Sequence, residues 1–171
     1  MSAVTIESVD DPNDDIVQQL ASLFVDAVTG GASVSFMSDL QFDQAVEWWR
    51  KTLSASPSRA VVLVARDELG IVGTVQMQPS WAPNQVHRAD VAKLIVHRRA
   101  RGRGIGLTLM QEIERHAREQ RFTLLVLDTC KGSAAEKLYA SLGWVRVGVI
   151  PNYALNPDET PCDTVYFYKQ L

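Results

Sequence analysis

Apolar and polar residues alternate over residues 4–9, a period near two that predicts a first strand. The polar stretch 11–15 offers turn and cap chemistry, after which Ile16, Leu20, Leu23, Phe24 and Ala27 recur at helical spacing. Gly30-Gly31 breaks that pattern. A second helix is expected over 39–53, with Leu40, Ala45, Val46 and Trp49 facing inward. The β-branched run 60–65 and the run 71–77 flank Asp67-Glu68-Leu69-Gly70, which predicts a hairpin. Trp81-Ala82-Pro83-Asn84 marks a loop, and 89–96 a further strand. Over 104–119, Gly106, Leu109, Met110, Ile113 and Ala117 share one helical face. The apolar run 122–127 predicts a strand ending at Asp128. Ser133 is placed to cap a helix through Leu142, with Glu136 at the capping-box position and Gly143 as its stop. Strands over 145–150 and 164–169 complete the chain. The pattern predicts one α/β (α+β) domain spanning 1–171, with about seven strands flanked by about four helices.

Composition narrows the function classes. A length of 171 residues suits one domain with a substantial core, and 46% hydrophobic with 22% charged residues is ordinary for a globular protein. The net charge of −3 argues against general nucleic-acid binding while permitting a local basic site. No apolar run approaches the roughly 20 residues that span a bilayer, and the acidic N-terminus has no basic region of a secretory signal. Cys130 and Cys162 lie far apart in the chain without CxxC spacing, so two unreactive cysteines in a reducing cytoplasm are expected. His87, His97 and His116 show no metal-ligand spacing, and no metal is expected.

The chemistry concentrates in 93–106. There, glycines at 102, 104 and 106 follow an apolar strand, open a helix, and alternate with Arg101 and Arg103. Glycines let a ligand approach the backbone, a helix start presents free N–H groups and positive potential, and guanidinium forks match phosphate oxygens. A Walker loop would require Gly-Lys-Ser/Thr, which is absent, and a dinucleotide fingerprint would require a small residue at Leu107. A glycine-rich turn with solvated arginines is the plain structural alternative.

Arg101-x-x-Gly104-x-Gly106 after a strand ending Leu94-x-Val96, followed by Ala135-x-x-x-Tyr139-x-x-x-Gly143-Trp144, resembles the GCN5-related N-acetyltransferase superfamily. Within it, Gly30-Gly31-Ala32-Ser33-Val34-Ser35-Phe36-Met37, the 88–94 segment, Leu127-Asp128-Thr129, Pro151-x-Tyr153 and Val165-Tyr166-Phe167 resemble the tabtoxin-resistance acetyltransferases. Arg98 replaces a common proline, Gly132 a common asparagine, and Cys130-Lys131 an acidic pair.

The resemblance implies a splay between the 89–96 strand and its parallel neighbour. It implies acetyl-CoA as cofactor, held by Leu94, Ile95, Val96, Arg101, Gly102, Arg103, Gly104, Ile105, Gly106, Ser133 and Tyr139. Acetylation of the amino group of a small amino-acid-like or β-lactam antimetabolite follows, as a resistance or detoxification reaction in the cytoplasm. Gly31, Ser33, Phe36 and Tyr153, with the 81–86 loop, would line the acceptor pocket; otherwise 30–36 is only a connector. Asp128 and Asp90 are candidate general bases, one methylene separating Asp90 from the glutamate expected there. Their plain alternatives are a turn cap for Asp128 and an ion pair with Arg88 or Lys93 for Asp90. Asp90 stands four residues from Leu94, about 13 Å along an extended strand, so direct proton transfer requires a bulge or a water. Tyr139 would protonate the leaving thiolate; otherwise it is an amphipathic tyrosine at a helix–core boundary. The expected partner is a small amine, with neither nucleic acid nor membrane, on a monomer or homodimer. A noncatalytic acyl-CoA sensor and a peptide or protein amine acetyltransferase are the competing readings.

Overall fold

The computed structural model describes residues 3–55 and 57–171. Met1 and Ser2, part of the N-terminus weighed above for a leader, lie outside the described residues. The strands are β1 (Thr5–Ser8), β2 (Val61–Asp67), β3 (Gly70–Pro79), β4 (Arg88–Val96), β5 (Leu124–Cys130), β6 (Val145–Leu155) and β7 (Pro161–Gln170). They form one sheet in the order β1-β2-β3-β4-β5-β7-β6. The helices are α1 (Asp14–Thr29), α2 (Phe42–Ser54), α3 (Ile105–Glu119) and α4 (Ala134–Ser141). The expected α/β sheet with helices on both faces is what the chain forms.

Two cores sandwich the sheet. Residues of α3 and α4 pack with Leu63, Val75, Val91, Leu125 and Phe167 on one face. Those of α1 and α2 pack with Val62, Val64, Ile71 and Ile95 on the other. Strand β2 is apolar at successive positions because both of its faces are covered. Phe24, Trp48 and Trp49 stack together, ring centroids 4.8 to 5.0 Å apart, where α1 meets α2.

Strands β4 and β5 are the parallel pair, and the crossover that parallel pairing demands runs through α3. Their register holds at Arg88↔Leu124, Ala89↔Leu125 and Asp90↔Val126 and then stops, leaving β4 from 91 to 96 without a partner on that edge. On its other edge β4 carries a bulge, for Thr74 pairs with Ile95 while Gln76 pairs with Ala92. Lys93, inside the bulge, has φ +56. The splay expected from the resemblance is therefore present, and so is the bulge.

Two strand ends and one cap differ from the sequence pattern in ways that bear on the site. Strand β5 continues to Cys130, so Asp128 sits within it opposite Tyr166 instead of capping a turn. Strand β6 continues past 150 to Leu155. Pro151-Asn152 reads as a stop, but a register shift absorbs it and the Asn152 N–H donates to Asp163 Oδ1 at 3.1 Å. Glu136 accepts from the Gly132 N–H, not from that of Ser133, while Ser133 Oγ accepts from the Glu136 N–H in the expected way.

The cysteine expectation is overturned. Cys130 and Cys162 form a disulfide, their Cα atoms 6.1 Å apart. Strand neighbourhood brings them together: Cys130 pairs with Thr164, two residues along β7 from Cys162. Their 32-residue separation conveys nothing of this until the β5–β7 register is known. Among the described residues no cluster able to hold a metal and no helix long and apolar enough to cross a membrane occurs.

Candidate active site

The splay opens into two adjoining clefts. The first, about 500 Å3, is lined by Leu94, Ile95 and Val96, by Arg101, Gly102, Gly104, Ile105 and Gly106, and by Ser133 and Leu138. Gly102 and Gly104 turn the chain at φ +75 and +77, a region that a side chain would strain, and Gly104 is the N-cap of α3. The start of α3 has no side-chain cap and no acid in its first turn. By contrast, Asn13 caps α1 and Ser133 caps α4. The uncovered N–H groups at the head of α3 thus face the cleft with nothing negative to compete for them, an arrangement suited to phosphate.

The four arginines of this segment have separate tasks. Arg101 lines the cleft, its Nε donating to Val96 O at 3.2 Å. Arg98 is held by Asp26. Arg99 and Arg103 both donate to Asp67 at the end of β2, at 2.7 and 3.4 Å. The Arg99 hydrogen bond, with help from the Leu69 N–H and Arg103, holds the Asp67 carboxyl near pKa 2 against the opposing effect of burial. Its oxygens are covered by the guanidinium groups themselves rather than by deep interior. Arg103, expected on the phosphates, reaches Asp67 and lies outside the cleft lining, and Arg101 is the one of the four that lines it.

The second cleft, about 560 Å3, shares Gly31, Ala32, Val34, Leu94, Ser133 and Ala135 with the first. The expected acceptor residues Gly31, Ser33, Phe36 and Tyr153 all line it, as do Asp128 and Tyr139. The 81–86 loop lines neither cleft: the acceptor wall comes from 91–94, whereas that loop enters β4 at its other end. Ser33 Oγ donates to Leu155 O at 3.2 Å and joins the 30–36 loop to β6.

Asp128 is open to the cleft yet set among protein atoms. That desolvation raises its pKa above the usual carboxylate value; Lys93 opposes the shift and Asp90 adds to it. Asp90 itself is held by Arg88 through both oxygens, at 2.8 and 2.9 Å, and does not line the cleft. The ion pair foreseen as its plain alternative is thus formed, and Asp90 acts on the site through its charge. Tyr139 is 5% exposed, its ring 6.0 Å from those of Trp144 and Phe167. Burial, reinforced by the Asp128 charge, pushes its phenol well above the ordinary value. Tyr166, opposite Asp128, donates to Tyr153 Oη at 2.7 Å, and that bond, burial and the Asp128 charge together hold its proton.

Sequence reasoning overlooked Lys93, Tyr166, Thr129, Asn156 and Thr164. All but Tyr166 line the second cleft. Period-two alternation through 124–130 and 161–170 would have placed Asp128 and Tyr166 on one face had the strand ends been read correctly. Lys93 has no such signal, because a bulge breaks the alternation.

Residues 18–144 match the model of the Acetyltransferase (GNAT) family. The fold is shared with a ribosomal-protein-alanine N-acetyltransferase from Brucella melitensis (23% identity, TM-score 0.79, covering 98% of this chain and 99% of that one). An N-acetyltransferase from Staphylococcus aureus Mu50 is similar at 16% identity and TM-score 0.82, covering 99% of each chain. The Salmonella typhimurium protein yncA, solved with its cofactor acetyl-CoA, is similar at 19% identity and TM-score 0.78, covering 99% of this chain and 95% of that one. With the splayed parallel strands, the uncapped helix behind a glycine-arginine loop and a family match over most of its length, the chain belongs to the GNAT acetyltransferase family.

Proposed function

We propose that the chain transfers the acetyl group of acetyl-CoA to the amine of a small amino-acid-like molecule. The observation that carries this reading is the junction of the two clefts at Leu94, Ser133 and Ala135, which puts an anion-binding helix start on one side and Asp128 with Tyr139 on the other. Acetyl-CoA fits the first cleft in charge and shape: the head of α3, the backbone of Gly102 and Gly104, and Arg101 suit a pyrophosphate. The unpartnered edge at Leu94, Ile95 and Val96 suits the amide groups of an extended arm, satisfying backbone groups left unpaired in the sheet. Gly106 and Ser133 complete the walls.

When bound, acetyl-CoA supplies the activated acetyl group and carries the leaving sulfur. The chain must deliver a neutral amine, since alkyl ammonium groups titrate near ~10. Asp128 is the base: desolvation strengthens its hold on a proton, and it stands in the acceptor cleft. Asp90, held by Arg88, supports it electrostatically. Tyr139 enters the reaction protonated and donates a hydrogen bond to the leaving thiolate. A thiol titrates at about 8.5, below this phenol, so Tyr139 keeps its proton; the nitrogen loses one proton to Asp128 before attack and a second as the amide forms, and that second proton ends on the sulfur.

The sequence resemblance to tabtoxin-resistance acetyltransferases supports an amino-acid-like or β-lactam antimetabolite as acceptor. Acetylation would remove the positive charge and nucleophilicity of such a compound, which is detoxification. The reading needs no second chain and no nucleic acid. It places the enzyme in the cytoplasm, where the Cys130–Cys162 bond would face a reducing pool. The test incubates the protein with acetyl-CoA and a panel of amino acids, β-lactam amines and N-terminal peptides while thiol release is followed. Turnover of small amines is the expected result. Tight acetyl-CoA binding without turnover of any amine would overturn it in favour of a sensor, and turnover of peptides alone would favour a protein acetyltransferase.

A further inference from the structure

Lys93 is the one cationic side chain among the described residues that line the acceptor cleft, and Asp128 is the one acidic side chain there. They form no ion pair with each other within 4 Å. Lys93 occupies the β4 bulge in a left-handed conformation, φ +56, and its partner Ser35 is also left-handed, φ +76. Two non-glycine residues held in that region at one contact mark a place where the fold sustains local strain, and such places cluster at ligand clamps. A bulge also redirects the side chain it carries.

The ammonium donates to Ser35 Oγ at 2.7 Å and Val34 O at 3.2 Å, and lies 5.8 Å from the centre of the Trp48 ring. Both hydrogen-bond acceptors are neutral. An ammonium has three donors, so one remains, and its charge is not neutralised by direct contact. Burying a cation this way is costly without a counter-charge. Arg88, Arg98, Arg99 and Lys169 by contrast each meet a carboxylate: Asp90, Asp26, Asp67 and Glu114.

We propose that Lys93 is the anchor for a carboxylate on the acceptor, so that the cleft selects molecules bearing an amine for Asp128 and an acid group for Lys93. This rests on the acetyl-transfer reading above and adds the residue that sets its specificity. Lys93 is a specificity residue: it touches the acceptor and takes no proton in the reaction.

The test compares L-amino acids with their own carboxamides as acceptors, using wild type, Lys93→Met, Lys93→Arg and Ser35→Ala. The wild type is expected to favour the acid over the amide by at least about tenfold in kcat/KM, the scale of one charge-assisted contact. Lys93→Met should bring the ratio of acid to amide kcat/KM close to one, chiefly through KM for the acid, with acetyl-CoA binding retained. Lys93→Arg should keep most of it, and Ser35→Ala, which removes a supporting bond but no charge, should keep it as well. Equal loss on acid and amide in Lys93→Met would show that Lys93 only staples the loop, and overturn the proposal. So would amides matching acids in the wild type. Should Lys93→Met fail to fold, the acid preference of the wild type and Lys93→Arg decides. Absence of turnover with every amine is a failure of the acetyl-transfer reading instead; calorimetry with N-acetyl amino acids and their amides then tests the anchor alone, and equal affinities overturn it.

Discussion

Lys93 and Asp128 face one cleft from the two diverging strands, and each biases the proton affinity of the other without closing an ion pair. Burial lowers the Lys93 pKa while the Asp128 charge raises it; burial raises that of Asp128 while the Lys93 charge lowers it. The site thus stores opposite charges for a ligand that brings their complements.

Asp128 should set the acidic limb of the pH profile. A base works when unprotonated, so kcat/KM should rise with pH through a pKa above the ordinary carboxylate range, the direction burial gives Asp128. Asp128→Asn is expected to lower kcat by about 10²- to 10⁴-fold and to remove that limb. Stability should move the other way. A carboxyl whose folded pKa is raised favours folding in its protonated form and loses that contribution as pH rises through the folded value. Thermal melts should therefore find Asp128→Asn more stable than wild type at pH 7, the difference vanishing in acid.

Tyr139→Phe separates proton chemistry from packing. The ring contacts with Trp144 and Phe167 remain, so the melting temperature should change little. Steady-state kinetics should show kcat reduced by about 10- to 100-fold with KM for acetyl-CoA nearly constant. A large loss of stability with unaltered kcat would return Tyr139 to a purely structural role.

Glu114 on α3 is buried, 5% exposed, and gathers Trp144 Nε1 at 3.0 Å and Lys169 Nζ at 2.7 and 2.9 Å. This cluster fastens α3 to the residue after Gly143 and to β7. Lys169→Met leaves the buried carboxylate with Trp144 and, at 3.7 Å, Arg118, and should cost about 2 to 3 kcal/mol in chemical denaturation. Adding Glu114→Gln should recover part of that loss, because the buried charge is gone.

Reduction should loosen the oxidised protein. The Cys130–Cys162 bond closes a loop of 32 residues' separation that contains α4 and β6, hence Tyr139 and Tyr153. Loop entropy of that length gives about 3 to 4 kcal/mol of stabilisation. Melts with and without a thiol reductant should show the difference, and Cys162→Ser should melt alike in both.

The donor side of the molecule was legible because it is written in local terms: glycines at alternate positions, an arginine, and a helix start within 93–106 are contiguous in the chain. Asp128, Tyr139 and the 30–36 loop were legible through family resemblance, and the folded chain brings them to one cleft. What escaped depends on pairing across the sheet. The disulfide and the Tyr166–Tyr153 contact join residues whose meeting is decided by register. Lys93 escaped for a different reason: a bulge removes the periodicity that tells which face a strand residue occupies.

The stop in β4–β5 pairing after Asp90 has one more consequence. Sheets ordinarily show bare backbone only along their outer rims, yet here a bare margin opens at the middle of seven strands. An extended molecule lying there takes the place of a missing strand, so that binding and the completion of folding become one event. Those amides of 91–96 that point into the splay, away from β3, should accordingly pass from fast to slow hydrogen exchange when the cleft fills, as though the protein had acquired another strand that it does not encode.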